Sequence, residues 1–130
     1  MEPWTYLKKF KKFSVDSSFT PGLERIEEVM EELDSPHKKI PVLHIAGTNG
    51  KGSTATILST IMQKAGYRTG LFLSPHLYLL EERFLINGEK ISKQELQAII
   101  ERIRPALKMV SQNCEFKQFI FFEVLTIIAF

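Results

Sequence analysis

Residues 41–53 read PVLHIAGTNGKGS and decide the fold. The apolar run from Pro41 to Ile45, bounded by proline and glycine, predicts a short strand buried on both faces. A glycine-rich turn follows, and an amphipathic helix is predicted to begin near Ser53 with Lys51 just before it. A strand, a glycine-rich turn and a helix with a lysine at its start together predict a phosphate-binding site.

The physical basis of this site is the backbone of the turn. Its glycines allow positive φ and leave no Cβ in the way, so that successive N–H groups can converge on an anion. The start of the helix adds unpaired N–H groups and the positive end of its dipole, and Lys51 adds a full charge. The alternative is a turn whose glycines serve only chain reversal. The predicted nucleotide-binding residues are Gly47, Thr48, Asn49, Gly50, Lys51, Gly52 and Ser53, with Lys51 also catalytic.

The turn departs from the common P-loop pattern GxxxxGK[ST]. Ile45 stands at the first glycine position, and Gly52 stands where Ser or Thr should follow Lys51. The stretch GTNGKGS resembles instead the phosphate loop of the folylpolyglutamate synthase and dihydrofolate synthase family, a branch of the ATP-dependent Mur ligases. Cell-wall members of that superfamily usually have Ser or Thr directly after GTNGK, so Gly52 favours the folate branch.

Composition indicates one globular domain without a nucleic-acid or membrane partner. The chain has 130 residues, 44% of them hydrophobic, and a net charge of only +2. The single cysteine, Cys114, excludes an internal disulfide and favours a cytoplasmic protein. The longest apolar stretch, residues 119–130, contains Glu123 and is shorter than the roughly 18 residues that a bilayer requires.

The C-terminal end of the chain suggests a fragment. The sequence stops within an apolar stretch, with no capping glycine or polar tail after Phe130. Since members of the resembling family are several times longer, residues 1–130 are expected to be the N-terminal part of a Mur-ligase-type ATP-binding domain. The remainder of that domain and the C-terminal domain would then be absent.

Apolar residues that recur at helical spacing predict several helices, each with one face buried in the core. Helices are expected from Pro3 to Phe13, after Pro21-Gly22, from Ser53 to Ala65, and from Ser92, whose capping box with Glu95 precedes a kink or end at Pro105. The expected core residues of the second and third helices are Leu23, Ile26, Met30 and Leu33, and Ile57, Leu58, Ile61, Met62 and Ala65. His44, within the predicted strand, is interpreted as a core residue rather than a metal ligand.

A second strand from Thr69 to Leu73 would complete a βαβ unit with parallel strands. Parallel strands share one carboxyl edge, so Ser74-Pro75-His76 should open on the same edge as the glycine-rich loop. Ser74 is therefore predicted as a magnesium ligand, and the alternative is a serine turn before proline. The tract resembles the family's Ser-Pro-His tract, whose serine coordinates Mg²⁺.

The segment after this tract predicts a loop, a short strand and a turn at Asn87-Gly88. It resembles a family segment that contributes to the folate pocket. Glu82 and Arg83 are accordingly candidates for orienting substrate, although an exposed ion pair between them is the preferred interpretation.

Glu123 is the only charge in the apolar stretch at residues 119–130, which is expected to be a buried helix or a buried strand, its length favouring the helix. A buried carboxylate must be protonated, paired or bound to a cation. The tract Phe-Phe-Glu resembles the family tract whose glutamate is the second protein ligand of Mg²⁺. The resemblance therefore implies Ser74 and Glu123 as the metal ligands.

The prediction as a whole is an α/β nucleotide-binding domain of P-loop type, a parallel sheet flanked by helices. The resemblance implies an ATP-dependent ligase that adds L-glutamate to folate or dihydropteroate through an acyl phosphate, with ATP and Mg²⁺ as cofactors. The full-length enzyme would be a cytoplasmic monomer, and this chain would be inactive alone. A noncatalytic nucleotide-binding switch, a cell-wall Mur ligase and a structural fragment are the alternatives.

Overall fold

The computed structural model describes residues 2–10, 22–113 and 119–130. These residues form several helices and one small sheet, which are connected by loops. The helices are α1 (Pro3–Leu7), α2 (Glu24–Glu32), α3 (Lys51–Lys64), α4 (Lys93–Asn113) and α5 (Phe121–Ala129), and the strands are β1 (Gly70–Phe72), β2 (Phe84–Ile86) and β3 (Glu89–Lys90). Short 3₁₀ helices occupy Pro36–Lys38 and Leu80–Arg83.

The chain divides into two compact units. The first combines Met1–Pro41 with Gln97–Phe130, and the second is Val42–Leu96. In the first unit α2 packs against α5, the helix predicted in the apolar stretch. Val29 and Met30 on α2 and Val124 and Leu125 on α5 are at most 2% exposed. Burying a side chain of this size contributes about 1.5–3 kcal/mol, so this unit has a true hydrophobic core.

The buried face of α2 differs from the predicted stripe. Leu23 is 65% exposed, Ile26 and Leu33 are half-buried, and Arg25 is buried instead, only 3% exposed. Hydrophobic periodicity places an arginine outside the core because it takes no account of a charged partner. The prediction was therefore correct for Met30 and wrong for Leu23.

The capping box that begins α4 is confirmed. The Ser92 N–H donates to the Glu95 carboxylate at 2.6 Å, and the Glu95 N–H donates to the Ser92 hydroxyl at 3.1 Å. Helix α4 does not end at Pro105, because it continues to Asn113 with Pro105 inside it. Pro105 and Glu101 both lie on the exposed face of the helix, where water can satisfy the carbonyl that proline leaves without a donor.

The second unit contains an antiparallel sheet in the order β1-β2-β3. Gly70 pairs with Ile86 and Phe72 with Phe84, and β2 continues into β3 through Asn87 and Gly88. These two residues have φ values of 49° and 83°, as a two-residue hairpin turn requires. The predicted strand near residues 69–73 and the Asn-Gly turn are thus confirmed.

The predicted parallel sheet is not confirmed. Residues 41–47 form no strand, and β1 pairs antiparallel with β2, so the described residues contain no parallel strand pair. Val42 and Leu43 are 55% and 66% exposed, and His44 is exposed, so the interpretation of His44 as a core residue was wrong. A segment becomes a buried strand only when neighbouring strands supply its hydrogen-bond partners, and the described residues supply none beside residues 41–45.

Helix α3 likewise lacks the predicted packing. Ile57 and Ile61 are 62% and 58% exposed, whereas Ser59 is buried. Of the remaining predicted core residues, Leu58 and Met62 are half-buried and Ala65 is exposed. The apolar face that the sequence assigns to a sheet is therefore largely open to solvent.

Helix α1 is shorter than predicted, since it ends at Leu7 and Phe13 lies outside the described residues. Cys114 lies outside them as well. Of the helices in the described parts of the chain, none is both long and apolar enough to cross a membrane.

Candidate functional site

The glycine-rich loop lies on the surface of the second unit. Residues 46–53 are all exposed, and α3 begins at Lys51 rather than near Ser53. Gly47 and Gly50 have φ values of 151° and 75°, a region that favours glycine, and Gly50 is the residue immediately before the helix. The Thr54 N–H donates to the Gly50 carbonyl at 2.9 Å and closes the first turn.

The start of α3 is open to a ligand. Within the described residues no side chain caps its first N–H groups. A Cβ added at Gly50 or Gly52 would meet nothing within 4 Å. Uncapped N–H groups, the helix dipole and free space are the properties of an anion-binding helix terminus.

Lys51 folds back over this loop. Its Nζ donates to the Gly47 carbonyl at 2.6 Å and to the Thr48 carbonyl at 3.1 Å. These acceptors are neutral and belong to the loop itself, so an anionic phosphate oxygen would be a stronger partner for the ammonium group. The Lys51 ammonium group thus lies within the glycine-rich loop.

Ser74 belongs to the same unit as the loop and follows β1 in a segment that contains a cis Ser74–Pro75 bond. The exposed Ser74 hydroxyl accepts a hydrogen bond from Arg83 Nη1 at 3.2 Å. Arg83 Nε also donates to His76 Nδ1 at 2.7 Å. Arg83 is only 8% exposed, and burial lowers the pKa of its guanidinium from the ordinary arginine value. The guanidinium therefore holds Ser74 and His76 together.

The expected exposed ion pair between Glu82 and Arg83 is wrong. Arg83 is buried, and the Glu82 carboxylate accepts hydrogen bonds from the backbone N–H groups of Leu77 (2.8 Å), Tyr78 (3.3 Å) and Leu79 (2.9 Å). These bonds, led by the one from Leu79, lower the pKa of Glu82. They fix the backbone of a turn on which Leu77 and Tyr78 are 83% and 89% exposed.

Changing Glu82→Gln is expected to loosen this turn, because an uncharged amide accepts backbone hydrogen bonds more weakly than a carboxylate. The amides of Leu77, Tyr78 and Leu79 should exchange with solvent faster, which hydrogen exchange followed by NMR would measure. Glu81→Gln is the control and should leave them unchanged. Equal protection of the three amides in Glu82→Gln and the wild type would contradict the role given to this carboxylate.

The same turn should respond to pH. A carboxyl whose pKa is lower in the folded than in the unfolded state stabilises the fold above its unfolded pKa, and this contribution is lost as the pH falls through the folded pKa. Protection factors of Leu77–Leu79 amides, corrected for intrinsic exchange, should therefore persist through the ordinary glutamate titration range and fall only below it. Loss of protection within that ordinary range would contradict this expectation.

Glu123 lies in the first unit, in the first turn of α5. Its Oε2 accepts a hydrogen bond from the Ile120 N–H at 2.9 Å, and its Oε1 contacts Arg25 Nη2 at 2.5 Å. Glu123 and Arg25 are 6% and 3% exposed. Of the three states the sequence leaves open for this carboxylate, the structure has the paired one. The sequence analysis did not predict Arg25 as this partner. The signal that could have indicated it is that a buried carboxylate needs a positively charged partner.

Both predicted metal ligands have oxygen donors, but the Glu123 carboxylate is buried and paired with Arg25. Mg²⁺ prefers hard oxygen ligands and commonly takes only one or two from the protein. A carboxylate has about four lone-pair sites, and the bonds given above use two of those on Glu123, while a hydroxyl accepts about two bonds. The described residues hold no cluster of three or more His, Cys, Asp or Glu side chains suited to a metal. Ser74 and Glu123 belong to different units.

The chain shares sequence with a known group of enzymes. It is 41% identical over 110 residues to dihydrofolate synthase/folylpolyglutamate synthase of Bacillus subtilis, an alignment that covers 85% of this chain and 25% of the relative. This chain is a homologue of the folylpolyglutamate and dihydrofolate synthases. The resemblance first noted in GTNGKGS is thereby confirmed, although no protein-family profile matches the chain.

Solved structures of folylpolyglutamate synthases share the fold. The Thermotoga maritima enzyme superposes with a TM-score of 0.84 at 38% identity, over 97% of this chain and 28% of its own. The Mycobacterium tuberculosis enzyme complexed with ADP superposes with a TM-score of 0.85 at 35% identity, over 97% and 27%. The chain therefore spans about a quarter of the length of these synthases.

Proposed function

We propose that this chain supplies the ATP and Mg²⁺ site of a ligase that joins L-glutamate to folate or dihydropteroate. The observation that carries the proposal is the exposed loop Gly47–Ser53 at the uncapped start of α3. Its support from relatives is the 41% identity to the B. subtilis synthase and the ADP complex of the M. tuberculosis homologue.

The loop would bind the phosphates of ATP. The first N–H groups of α3 donate to phosphate oxygens, and Lys51 leaves the Gly47 and Thr48 carbonyls to do the same. During transfer of the terminal phosphoryl group to the substrate carboxylate, Lys51 stabilises the charge that develops on it. ADP leaves, and the glutamate amine then attacks the carbonyl carbon of the acyl phosphate, with release of phosphate and a proton to give the amide.

Ser74 and Glu123 are the residues that would hold the metal. Mg²⁺, when bound, supplies positive charge that neutralises the phosphate oxygens. Arg83 orients the Ser74 hydroxyl by donating to its oxygen, and the Ile120 N–H orients the Glu123 carboxylate. Both side chains are thus held in place by the protein itself.

We further propose that residues 41–45 join a parallel sheet in a longer chain. Exposed Val42, Leu43, Ile57 and Ile61 support this proposal, as does the large part of each relative that lies beyond the alignment. Added strands would cover the apolar face and supply backbone partners. Hydrogen exchange of the Val42–Ile45 amides should then be slow in the natural full-length protein and fast in the 130-residue chain.

Calorimetry and a ligation assay test the proposed function. The 130-residue chain should bind a nonhydrolysable ATP analogue with Mg²⁺. The natural full-length protein should form an amide from glutamate and a folate, and the 130-residue chain alone should not. Turnover of a nucleotide-linked muropeptide instead would establish a cell-wall ligase, and a nucleotide-dependent protein partner without ligation would establish a switch. The proposal would be refuted if neither the 130-residue chain nor the natural full-length protein bound the nucleotide.

Gly52→Ala should separate stability from nucleotide binding. Since its new Cβ meets no protein atom within 4 Å, the change should raise the free energy of unfolding by up to about 1 kcal/mol. The same methyl group would stand where the backbone approaches phosphate, so nucleotide affinity should fall. Urea denaturation and calorimetry measure the two effects.

Gly66→Ala is the matched control for this variant. Gly66 has a φ of 90°, so alanine there should lower stability by about 1–2 kcal/mol without changing nucleotide affinity. Unchanged nucleotide affinity in Gly52→Ala would show that phosphate does not approach this part of the loop.

A further inference from the structure

Two Asn-Gly pairs occur in the chain, Asn49-Gly50 in the glycine-rich loop and Asn87-Gly88 between β2 and β3. Asparagine followed by glycine is the pair most prone to spontaneous deamidation, because glycine has no Cβ to hinder the approach of its nitrogen to the asparagine side chain. All four residues are exposed, so exposure does not distinguish the two pairs. Their hydrogen bonds distinguish them.

Asn87 is held by both its backbone and its side chain. Its Oδ1 accepts a hydrogen bond from the Thr69 N–H at 2.8 Å, and its own N–H donates to the Thr69 carbonyl at 2.9 Å. Turning the Asn87 side-chain amide toward the Gly88 nitrogen breaks the first of these bonds. Deamidation at this turn therefore requires local opening, which slows it.

Asn49 has no such restraint. In the part of the chain that the structure describes, neither the Asn49 side-chain amide nor the Gly50 N–H makes a hydrogen bond. The space around Gly50 is open, since a Cβ built there would meet nothing within 4 Å. The Asn49 side chain can therefore turn toward the Gly50 nitrogen without first breaking a contact.

We propose that Asn49 is a deamidation site and that its reaction inactivates the glycine-rich loop. The Gly50 nitrogen attacks Cγ of Asn49, so that an N–Cγ bond forms and the Cγ–Nδ2 bond breaks. Nδ2 leaves as ammonia, which takes up the proton of the Gly50 nitrogen. Water then opens the cyclic imide at either of its carbonyls and leaves aspartate or isoaspartate at position 49. Both products carry a carboxylate where the neutral amide stood.

The loss of function rests on the nucleotide site of the proposed function, whereas the reaction itself does not. A carboxylate at position 49 repels the phosphates of a nucleotide that binds this loop. Isoaspartate also adds a methylene group to the backbone, which displaces the N–H groups that follow it. Nucleotide affinity should therefore fall about tenfold or more, the effect of one like charge a few ångströms away at a protein surface.

Peptide mapping by mass spectrometry measures the reaction in the natural full-length protein, incubated without nucleotide. Trypsin places the two asparagines in separate peptides, residues 40–51 and 84–90, each of which gains mass on deamidation. Asn49 should react at least about tenfold faster than Asn87, because the Asn87 turn must first lose its hydrogen bonds to Thr69. In urea, where those bonds are absent, the ratio of the two rates should shrink.

Calorimetry with a nonhydrolysable ATP analogue and Mg²⁺ measures the consequence. The affinity of the incubated protein should fall in step with the fraction of Asn49 deamidated, and freshly prepared Asn49→Asp should bind at least about tenfold more weakly than the wild type. Asn87→Asp is the matched control, since it adds the same charge at an exposed turn and keeps an oxygen that accepts from the Thr69 N–H. This control should bind the analogue as the wild type does. Circular dichroism establishes that each variant is folded.

The outcomes separate this inference from the function on which its consequence rests. Fresh wild-type protein that binds no nucleotide refutes the proposed nucleotide site, and mass spectrometry still decides whether Asn49 reacts. Equal rates at Asn49 and Asn87 in the folded protein, or an undiminished ratio in urea, overturn the structural argument for the site. Wild-type affinity in folded Asn49→Asp overturns the inactivation. If Asn49→Asp does not fold, unchanged affinity of incubated, deamidated wild type overturns it instead.

Discussion

On the proposed function, Lys51→Ala is expected to lower the rate of ATP-dependent ligation by the natural full-length protein at least about a hundredfold, the usual effect of losing one group that stabilises transition-state charge. The free energy of unfolding should change by less than about 0.5 kcal/mol, as is usual for an exposed side chain. Lys51 is exposed, and its Nζ contacts carbonyls of its own loop. Steady-state kinetics and urea denaturation measure the two quantities.

Lys64→Ala is the matched control, since Lys64 is an exposed lysine in the last turn of the same helix. It should keep both ligation and nucleotide affinity. In the 130-residue chain, calorimetry should show a loss of affinity for the ATP analogue with Lys51→Ala alone. Equal activity of the two variants would remove Lys51 from the site.

Glu123→Ala is expected to destabilise the fold by about 3–5 kcal/mol, because it leaves the Arg25 guanidinium buried without its countercharge. The change also removes the bond to the Ile120 N–H at the start of α5. Urea denaturation of the 130-residue chain, or the thermal midpoint where unfolding is irreversible, measures the loss.

A double-mutant cycle with Arg25→Met isolates the ion pair. The double variant buries no unpaired charge at this place, so it should be more stable than the sum of the single changes predicts, by about 0.5–3 kcal/mol. Thr126→Ala in the same helix, whose hydroxyl bonds only within the helix to the Phe122 carbonyl, is the control. Strict additivity would show that the pair contributes little beyond its separate side chains.

Local features were predictable from the sequence because their causes are local. The Ser92-Glu95 capping box and the Asn87-Gly88 turn depend on residues within a few positions of one another. The conformation of the glycine-rich loop also has a local cause, since its positive φ values and the start of the following helix depend on one short stretch of sequence. The local conformation of the loop is therefore the part of the candidate site that follows most directly from the sequence.

Features that depend on distant residues were not predictable in the same way. Residues 41–45 have the composition of a buried strand, but only a neighbouring strand could make them one. The pairing of Glu123 with Arg25 joins residues 98 positions apart, and the core residues predicted for this helix did not include Arg25. The contact of Arg83 with Ser74 and His76 likewise follows from the folding of the segment after β1.

The resting position of Lys51 bears on how quickly a nucleotide can bind. Gly47 and Gly50 already have positive φ, and the first turn of α3 is already closed by the Thr54 N–H. Only the Lys51 side chain must move from the loop carbonyls to phosphate, and exposed side chains change rotamer within about picoseconds to nanoseconds. Association with nucleotide should therefore be limited by encounter in solution rather than by opening of the loop.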